Sequence, residues 1–403
     1  MAVTNSRKSS RLLILPWLLA IIVCGLVAAS SGQQPANKQQ RPRRVTDSNT
    51  NQSAPLEEGG EGDVVRVETQ LVAVPAVVTN NLGRPLIGLR SENFVVYEDG
   101  QKQTVANFGT TDAPFEIALL LDTSGSTRED VGLIRQAANG FVDALRPGDR
   151  VAIVAFNNTL RGGQPFATVE VLAPLTEDRK ALQLALERIG SSNGTPFYDA
   201  LQKIAGQIFR EPARAQLRGR RAIVALTDGV DSSSDSDYAS ARAQLARAGV
   251  ASYFIQVNTE DFVEERLLRD CRDNGQLTLS TRQLQRYRQV ILRGAKADTV
   301  GDFCQMGQFE RMAISRDLYN LARREMDDLA RYSGGRNFTA ATLQDARAAF
   351  RLVAAEIGTQ YSLGYYPTNK ARDGKYRSIR VEVRGVDGKA EVRAREGYDA
   401  PKG

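Results

Sequence analysis

Asp122, Ser124 and Ser126 arrive together in the stretch FEIALLLDTSGSTRED, Phe115 to Asp130, where they alternate with Thr123 and Gly125. Two further stretches supply side chains of the same kind: SSNGTPFYDAL carries Thr195, and AIVALTDGVDSSS carries Asp228. Two carboxylates with three hydroxyls, and no nitrogen or sulfur, make a donor set for a hard divalent cation. Mg²⁺ suits it best, with Mn²⁺ or Ca²⁺ as alternatives; Mg²⁺ takes oxygen ligands at about 2.1 Å and usually keeps some of its water. A lone D-x-S-x-S spacing is common and by itself marks nothing. Its weight depends on where the fold puts it.

The run Ile117 to Leu121 is unbroken and apolar, as a parallel strand covered on both faces must be. Similar runs follow at Val151 to Phe156, Val169 to Leu172, Ala222 to Leu226 and Ala251 to Val257, with a short one near Arg336 to Thr339. Amphipathic helices fall between them. Val131, Ile134, Ala138, Phe141, Val142 and Leu145 share one face, as do Leu182, Ala185, Leu186 and Ile189, then Tyr198, Leu201, Ile204, Ala205 and Ile208. A last helix covers about Leu343 to Ile357. The alternation predicts a doubly wound α/β domain over 113–358, with a mainly parallel sheet and helices on both faces. In such sheets ligands bind at the carboxyl ends of the strands, which is where Asp122 and Asp228 stand.

The chain contains no histidine, so Ser-His and Cys-His catalysis and His-ligated zinc are excluded. Its 53 Lys+Arg against 47 Asp+Glu leave +6, but much of the excess lies near the N-terminus, in SRKSSR and NKQQRPRR. No folded segment reads as a basic stripe with interleaved aromatics, which argues against nucleic acid as a partner. Arg7, Lys8 and Arg11 precede the apolar run Leu12 to Ala29 and then AASSG, the pattern of an export signal over 1–32. The run's length also allows an uncleaved membrane anchor. Cys24 resembles a lipoprotein cysteine, except that Val23 precedes it where a small residue is needed. Cys271 and Cys304 are left for the exported part and could form one disulfide.

Residues 33–63 are rich in Gln, Asn, Pro, Ser and Gly and read as a flexible tether. From Val64 the chain turns to β pattern: VVRVETQLVAVPAVVTN is extended, and FVVYEDGQKQTVANF is two strands around Asp99-Gly100. After the α/β domain the tail 359–403 returns to β pattern, with VDGKA as a hairpin turn. Neither piece can bury a core alone. The economical arrangement is one small β-sandwich built from 64–112 and 359–403, with the α/β domain inserted between them. Two separate flaps are the alternative.

The pattern resembles the von Willebrand factor A domain and its metal-ion-dependent adhesion site. DTSGS matches at Asp122, Ser124 and Ser126, NGTPFYDA at Thr195, and TDG at Asp228. With YSLGYYP and GKYRSIRVEVR near the C-terminus, the whole chain resembles exported acidobacterial proteins that contain such a domain. The long segment from Glu260 to about Ser315 departs from the minimal domain. The resemblance implies that Ser124 and Ser126 coordinate the metal directly, while Thr195, Asp122 and Asp228 bind directly or through water. Neutral hydroxyls leave the ion under-neutralised, so a partner's Asp or Glu can complete its shell.

The leading expectation is therefore an exported, metal-dependent protein-binding module and not an enzyme. One alternative is a structural envelope component whose metal only stabilises the fold. A metal-dependent hydrolase is disfavoured because no further Glu or Lys is placed as a general base. Asp231 and Asp235 read as solvated loop residues, Tyr198 and Asp199 as packing and capping the next helix, and Tyr365 and Tyr366 as strand packing. Within the long segment, VEERLLRDC and RQLQRYRQVIL read as charged helices. Arg282, Arg286, Arg288 and Arg293 could face an acidic partner, or the segment could be a solvated excursion.

Overall fold

The computed structural model describes residues 71–124, 131–211, 220–273, 276–293 and 303–402. The segments read as an export signal (1–32) and a tether (33–63), with Cys24, and Ser126 lie outside the described residues.

The described residues begin with β1 (Val72–Asn80), β2 (Phe94–Glu98), β3 (Gln101–Gln103) and β4 (Val105–Gly109). Asp99 and Gly100 turn β2 into β3 with positive φ at both positions, 46° and 81°, the combination that a two-residue hairpin turn needs. Next come β5 (Glu116–Leu121), α1 (Val131–Ala144), β6 (Arg150–Arg161), β7 (Gln164–Thr176), α2 (Arg179–Glu187), α3 (Phe197–Lys203), β8 (Arg221–Thr227), α4 (Tyr238–Ala248) and β9 (Ala251–Val257). The long segment holds α5 (Glu260–Arg269), two short strands β10 (Arg272–Asp273) and β11 (Gln276–Leu277), and α6 (Thr281–Arg286). Then follow α7 (Gln308–Ser333), β12 (Arg336–Ala340) and α8 (Ala346–Gly358). The chain closes with β13 (Tyr361–Tyr365), β14 (Tyr376–Val383), β15 (Ala390–Ala394) and β16 (Gly397–Asp399).

Six strands form the central sheet in the order β12-β9-β8-β5-β6-β7. All pair parallel except β6 with β7, which are joined as a hairpin. Every residue of β5 is buried, and the pleat divides them. Ile117, Leu119 and Leu121 pack on the face covered by α1, α2 and α8, whereas Ala118 and Leu120 meet α3, α4 and α7. That two-sided burial explains the unbroken apolar run, and truncating one such leucine to alanine costs ~2–5 kcal/mol. Register is fixed at the amino ends of the strands. Glu116 sits opposite both Arg150 and Arg221 and accepts from Arg150 Nη1 at 2.7 Å and from Arg221 Nε at 2.9 Å.

The flanking segments form one sandwich of two antiparallel sheets, β15-β1-β13-β4 and β16-β14-β2-β3. Each sheet mixes strands from both ends of the chain: β1 lies between β13 and β15, and β2 pairs β14. Val74, Ala76, Val78, Phe94, Val96, Tyr361, Leu363 and Tyr365 share the core between them. The expected VDGKA hairpin is not formed. β14 and β15 lie in different sheets, so this turn is a crossover, because β15 gains a partner in β1 that an isolated β14–β15 hairpin would lack. Tyr365 is buried as expected and Tyr366 is half exposed.

Polar groups also join the two ends of the chain. Glu98, 2% exposed, accepts from Tyr365 Oη at 2.7 Å and from Tyr398 Oη at 2.8 Å. Tyr365→Phe is expected to cost ~1–3 kcal/mol, because it strips a donor from a buried carboxylate. Urea unfolding followed by circular dichroism checks this; an unchanged midpoint would contradict it. Two buried arginines fasten the sandwich segments to the α/β domain. Arg220 donates to Thr111 O and Ile357 O, both at 3.1 Å, and Arg395 donates to Ala73 O and Ala246 O.

Candidate metal centre

β5 is the point where the sheet's order reverses. The connection out of β5 leads through α1 to β6 on one side, while β8 lies on the other side. The crevice at the carboxyl end of such a strand is open to a ligand. Asp122 is the first residue past β5, and its N–H donates to Leu226 O at 2.9 Å, one last rung toward β8. Asp228 is the first residue past β8.

Both aspartates turn the chain in the same way. Asp122 Oδ1 accepts from Ser124 N at 3.0 Å, and Asp228 Oδ1 accepts from Val230 N at 2.9 Å. In each case the side chain takes up the main-chain donor two residues on, which suits Asp at a sharp turn out of a strand. The other oxygens are held by hydroxyls. Asp122 Oδ2 accepts from Thr227 Oγ1 at 2.6 Å. Asp228 Oδ2 accepts from Thr259 Oγ1 at 2.6 Å, and Thr259 Oγ1 is 2.8 Å from Tyr319 Oη. Because the Thr259 proton is directed at the carboxylate, the Tyr319 hydroxyl is the donor in its contact with Thr259.

Asp122 is 1% exposed and Asp228 4%. Burial pushes the Asp122 carboxyl up to about 7, with the nearby Asp228 charge the next cause; the hydrogen bonds from Thr227 and Ser124 oppose both. Tyr319 is raised well above the usual phenol range, first by burial and then by Asp228. This edge gathers negative charge in a region poor in water, which a cation would relieve.

Thr195 reaches the edge on the loop before α3. Ser192 N donates to Thr123 O at 2.8 Å, tying this loop to the one after β5. Thr195 itself is bridged to the loop after β8 by two reciprocal bonds: Thr195 N donates to Ser232 Oγ at 2.8 Å, and Ser232 N donates to Thr195 O at 3.0 Å. Asp122, Ser124 and Asp228 thus share one buried cluster, and Thr195 is fastened to the loop that follows Asp228.

Asp231 is not the solvated residue expected. It is buried, accepts from Tyr198 N at 3.2 Å and from Ser234, and has its carboxyl raised by burial. It therefore caps the start of α3. Asp199, expected with Tyr198 to pack and cap the helix that follows Thr195, accepts from Asp235 N and Ser236 N, both at 2.9 Å. Tyr198 packs in the core and donates to Glu325 Oε2 at 2.7 Å. Asp235 is paired with Arg282.

Sequence reasoning missed Thr227, Thr259, Tyr319 and Ser232. Thr227 and Thr259 had a usable signal, a hydroxyl residue at the carboxyl end of a strand next to an aspartate-bearing one. Tyr319 sits mid-helix with no local mark.

The donor set fits a hard cation. Among the described residues no group of three or more Asp, Glu, Cys or His side chains could hold a metal, so an ion at this edge depends on the hydroxyls as much as on the two carboxylates. Asp122, Ser124, Thr195 and Asp228 are the described residues that would hold it. The ion would supply a positive charge able to accept a further oxygen ligand.

Residues 116–278 match the von Willebrand factor type A domain. The α/β part of the chain is a domain of this type, and such domains commonly engage other proteins. Among solved structures the chain is similar to proximal thread matrix protein 1 of the mussel byssus, with 12% identity and a TM-score of 0.38 over 60% of this chain and 48% of that one. This chain therefore spans about half the length of the mussel protein. It is also similar to BatB from Bacteroides thetaiotaomicron, with 15% identity and a TM-score of 0.36 over 60% of this chain and 98% of that one. The Rpn10 von Willebrand factor A domain matches at 16% identity and a TM-score of 0.29, over 36% of this chain and 76% of that one. No curated protein matches the chain.

Gly229 follows Asp228 with φ +75°, and a Cβ there would come within 2.6 Å of Met326 Sδ and Cε. Gly229→Ala combines a strained conformation with a clash against a fully buried side chain. A cost of ~2–4 kcal/mol is expected. Thermal unfolding checks it, and a melting temperature equal to that of the unaltered protein would contradict the requirement for glycine.

Proposed function

We propose that this chain is an exported, cation-dependent protein-binding module. Asp122, Ser124, Ser126, Thr195 and Asp228 hold Mg²⁺, with Mn²⁺ or Ca²⁺ as substitutes, and a partner's Asp or Glu completes the shell. The observation that carries the reading is the meeting of two buried carboxylates, Asp122 and Asp228, with hydroxyl side chains at the carboxyl edge of a parallel sheet. Three of the five ligands are neutral hydroxyls and a hard ion of this kind keeps part of its shell for water, so a coordination position is left that an anionic oxygen ligand from outside can take.

The reading is of binding and not of catalysis. The chain has no histidine. Nucleic acid is not the proposed partner, because the basic excess is not gathered into a folded stripe. Among the described residues no helix is long and apolar enough to cross a membrane, so any membrane attachment is assigned to the segment 12–29.

Immobilised protein exposed to envelope extract in Mg²⁺, and again in EDTA, tests the proposal, with the partner then purified and titrated. The reading requires capture in Mg²⁺, loss in EDTA, and loss when acidic residues of the partner are neutralised. Equal capture in both buffers would overturn it. Mg²⁺-dependent stabilisation with no capture would favour a purely structural metal in an envelope component.

A further inference from the structure

We infer that the insertion between α5 and α7 is a positioning element of the metal edge, so that cation affinity depends on Arg282 and on the Cys271–Cys304 bond. The inference rests on the cation reading above and concerns residues 30 and more positions away in sequence from the ligands.

Three sets of contacts converge on the loop that carries Asp228. The first is at its start. Thr259, which holds Asp228 Oδ2, immediately precedes α5, and Tyr319, which donates to Thr259, lies on α7. The second is apolar. Val230, two residues past Asp228, is buried with Leu267, Cys271, Leu279, Leu284, Phe303 and Leu318, so the insertion's own small core includes a residue of the metal loop. The third is polar and comes from α6. Ser280 Oγ donates to Ser232 O at 2.7 Å, and Arg282 donates to Ser234 O and to Asp235. Ser232 is the residue bridged to Thr195, and Ser234 Oγ accepts from Asp199 N in the first turn of α3. The insertion thus holds the 232–235 turn from behind, and that turn holds Thr195.

Cys271 and Cys304 are bonded, with Cα atoms 5.4 Å apart. The bond joins the end of α5 to the segment before α7 and encloses α6 in the loop. It restricts how far α6 can move from the turn it grips. Arg282 and Arg286 are therefore not the open acid-binding face expected from the sequence. Arg282 grips the turn, and Arg286 pairs with Glu325 and lies over the Tyr198 ring. The exposed pair Arg282–Asp235 contributes little by charge alone, so the bond from Arg282 to the Ser234 carbonyl is the positioning contact.

Ser280 also caps α6, accepting from Gln283 N at 3.1 Å, so its removal would perturb the helix as well as the turn. Arg282 is the cleaner probe. The test uses the full chain with Arg282→Ala, Arg282→Lys, Arg288→Ala and the double variant Cys271→Ser/Cys304→Ser. Two quantities are measured: hydrogen exchange at the Thr195 and Ser232 amides without metal, and Mg²⁺ affinity by calorimetry.

Arg282→Ala is expected to speed exchange at both amides and to lower Mg²⁺ affinity about fivefold, a coupling of ordinary size. Arg282→Lys retains a donor for Ser234 O and is expected to recover most of the loss. Arg288→Ala is expected to change neither quantity. The cysteine double variant is expected to act in the direction of Arg282→Ala, and if it fails to fold, Arg282→Ala decides alone. Unchanged exchange in Arg282→Ala overturns the inference, as does faster exchange with unchanged affinity. An unaltered protein that binds no Mg²⁺ at all overturns the cation reading itself, and the inference falls with it; the affinity of the unaltered protein distinguishes the two failures.

Discussion

Asp122→Asn is expected to lower Mg²⁺ affinity by at least about a hundredfold, ~2.7 kcal/mol, while the sheet stays folded. One of two carboxylates at the edge is then neutral, and Asp228 with hydroxyls alone is a weak set for a strongly hydrated ion. The fold tolerates the change because the amide is nearly isosteric. Its oxygen can still accept from Ser124 N, and the Thr227 hydroxyl can rotate to accept from the amide nitrogen in place of donating to Oδ2. Removing a buried negative charge beside Asp228 also relieves repulsion, so the metal-free variant is expected to be at least as stable as the unaltered protein. Asp122→Ala should bind metal no better and lose ~1–3 kcal/mol, since the Ser124 and Thr227 donors lose their acceptor. Calorimetry and thermal unfolding, each with and without Mg²⁺, separate the two effects. Unchanged Mg²⁺ affinity in Asp122→Asn would remove Asp122 from the site.

Removing residues 359–403 is expected to unfold the whole amino-terminal β segment. Without them β1 loses both neighbours, β13 and β15, and β2 loses β14, leaving, among the described residues of that segment, the short β2–β3 pairing and the single bridge between Thr79 and Pro85. A two-stranded hairpin without a covering sheet is marginal in water. The sandwich core would also lose Tyr361, Leu363, Tyr365 and Ile379. The central domain should survive. A chain shortened to residues 111–358 keeps both core layers and the two carbonyls that Arg220 grips, Thr111 O and Ile357 O. The expected result is a cooperative unfolding transition for 111–358, and protease-labile flanking segments whenever either is made without the other. Limited proteolysis and circular dichroism decide it. A folded, protease-resistant 359–403 piece on its own would show that the two segments do not depend on each other.

Much of the architecture was legible because local pattern and tertiary role agree. β5, β8 and β9 are buried on both faces and read as apolar runs, and the residues past β5 and β8 are the aspartates that pattern reading singled out. The sandwich was legible from an argument about size: neither flank could bury a core, so each needed the other. Less came through where distant contacts decide the outcome. The VDGKA turn has hairpin chemistry, yet β1, more than 300 residues earlier, claims β15. The 26-residue α7 was missed because Arg, Asp and Glu interrupt its buried stripe of Leu318, Ala322, Met326 and Leu329. The Arg282 and Arg286 face misled for a related reason: positive charge on a helix reads as a surface for partners until the acidic and carbonyl groups folded against it are known. Of the five proposed ligands, Asp122, Ser124, Thr195 and Asp228 stand at the sheet's carboxyl edge among the described residues, and Ser126 lies outside them. The hydroxyls behind them, Thr227, Thr259 and Tyr319, come from three elements whose meeting depends on sheet order.

The central claim is that a divalent ion binds at this edge through these side chains. Anomalous diffraction from crystals of the full chain grown with Mn²⁺ tests it most directly, because the metal is then located without reference to affinity or partner. The account predicts one strong peak with Ser124, Ser126 and Thr195 around it and with Asp122 and Asp228 bound directly or through water. Strong peaks elsewhere on the protein with none at this edge, at saturating Mn²⁺, would contradict it.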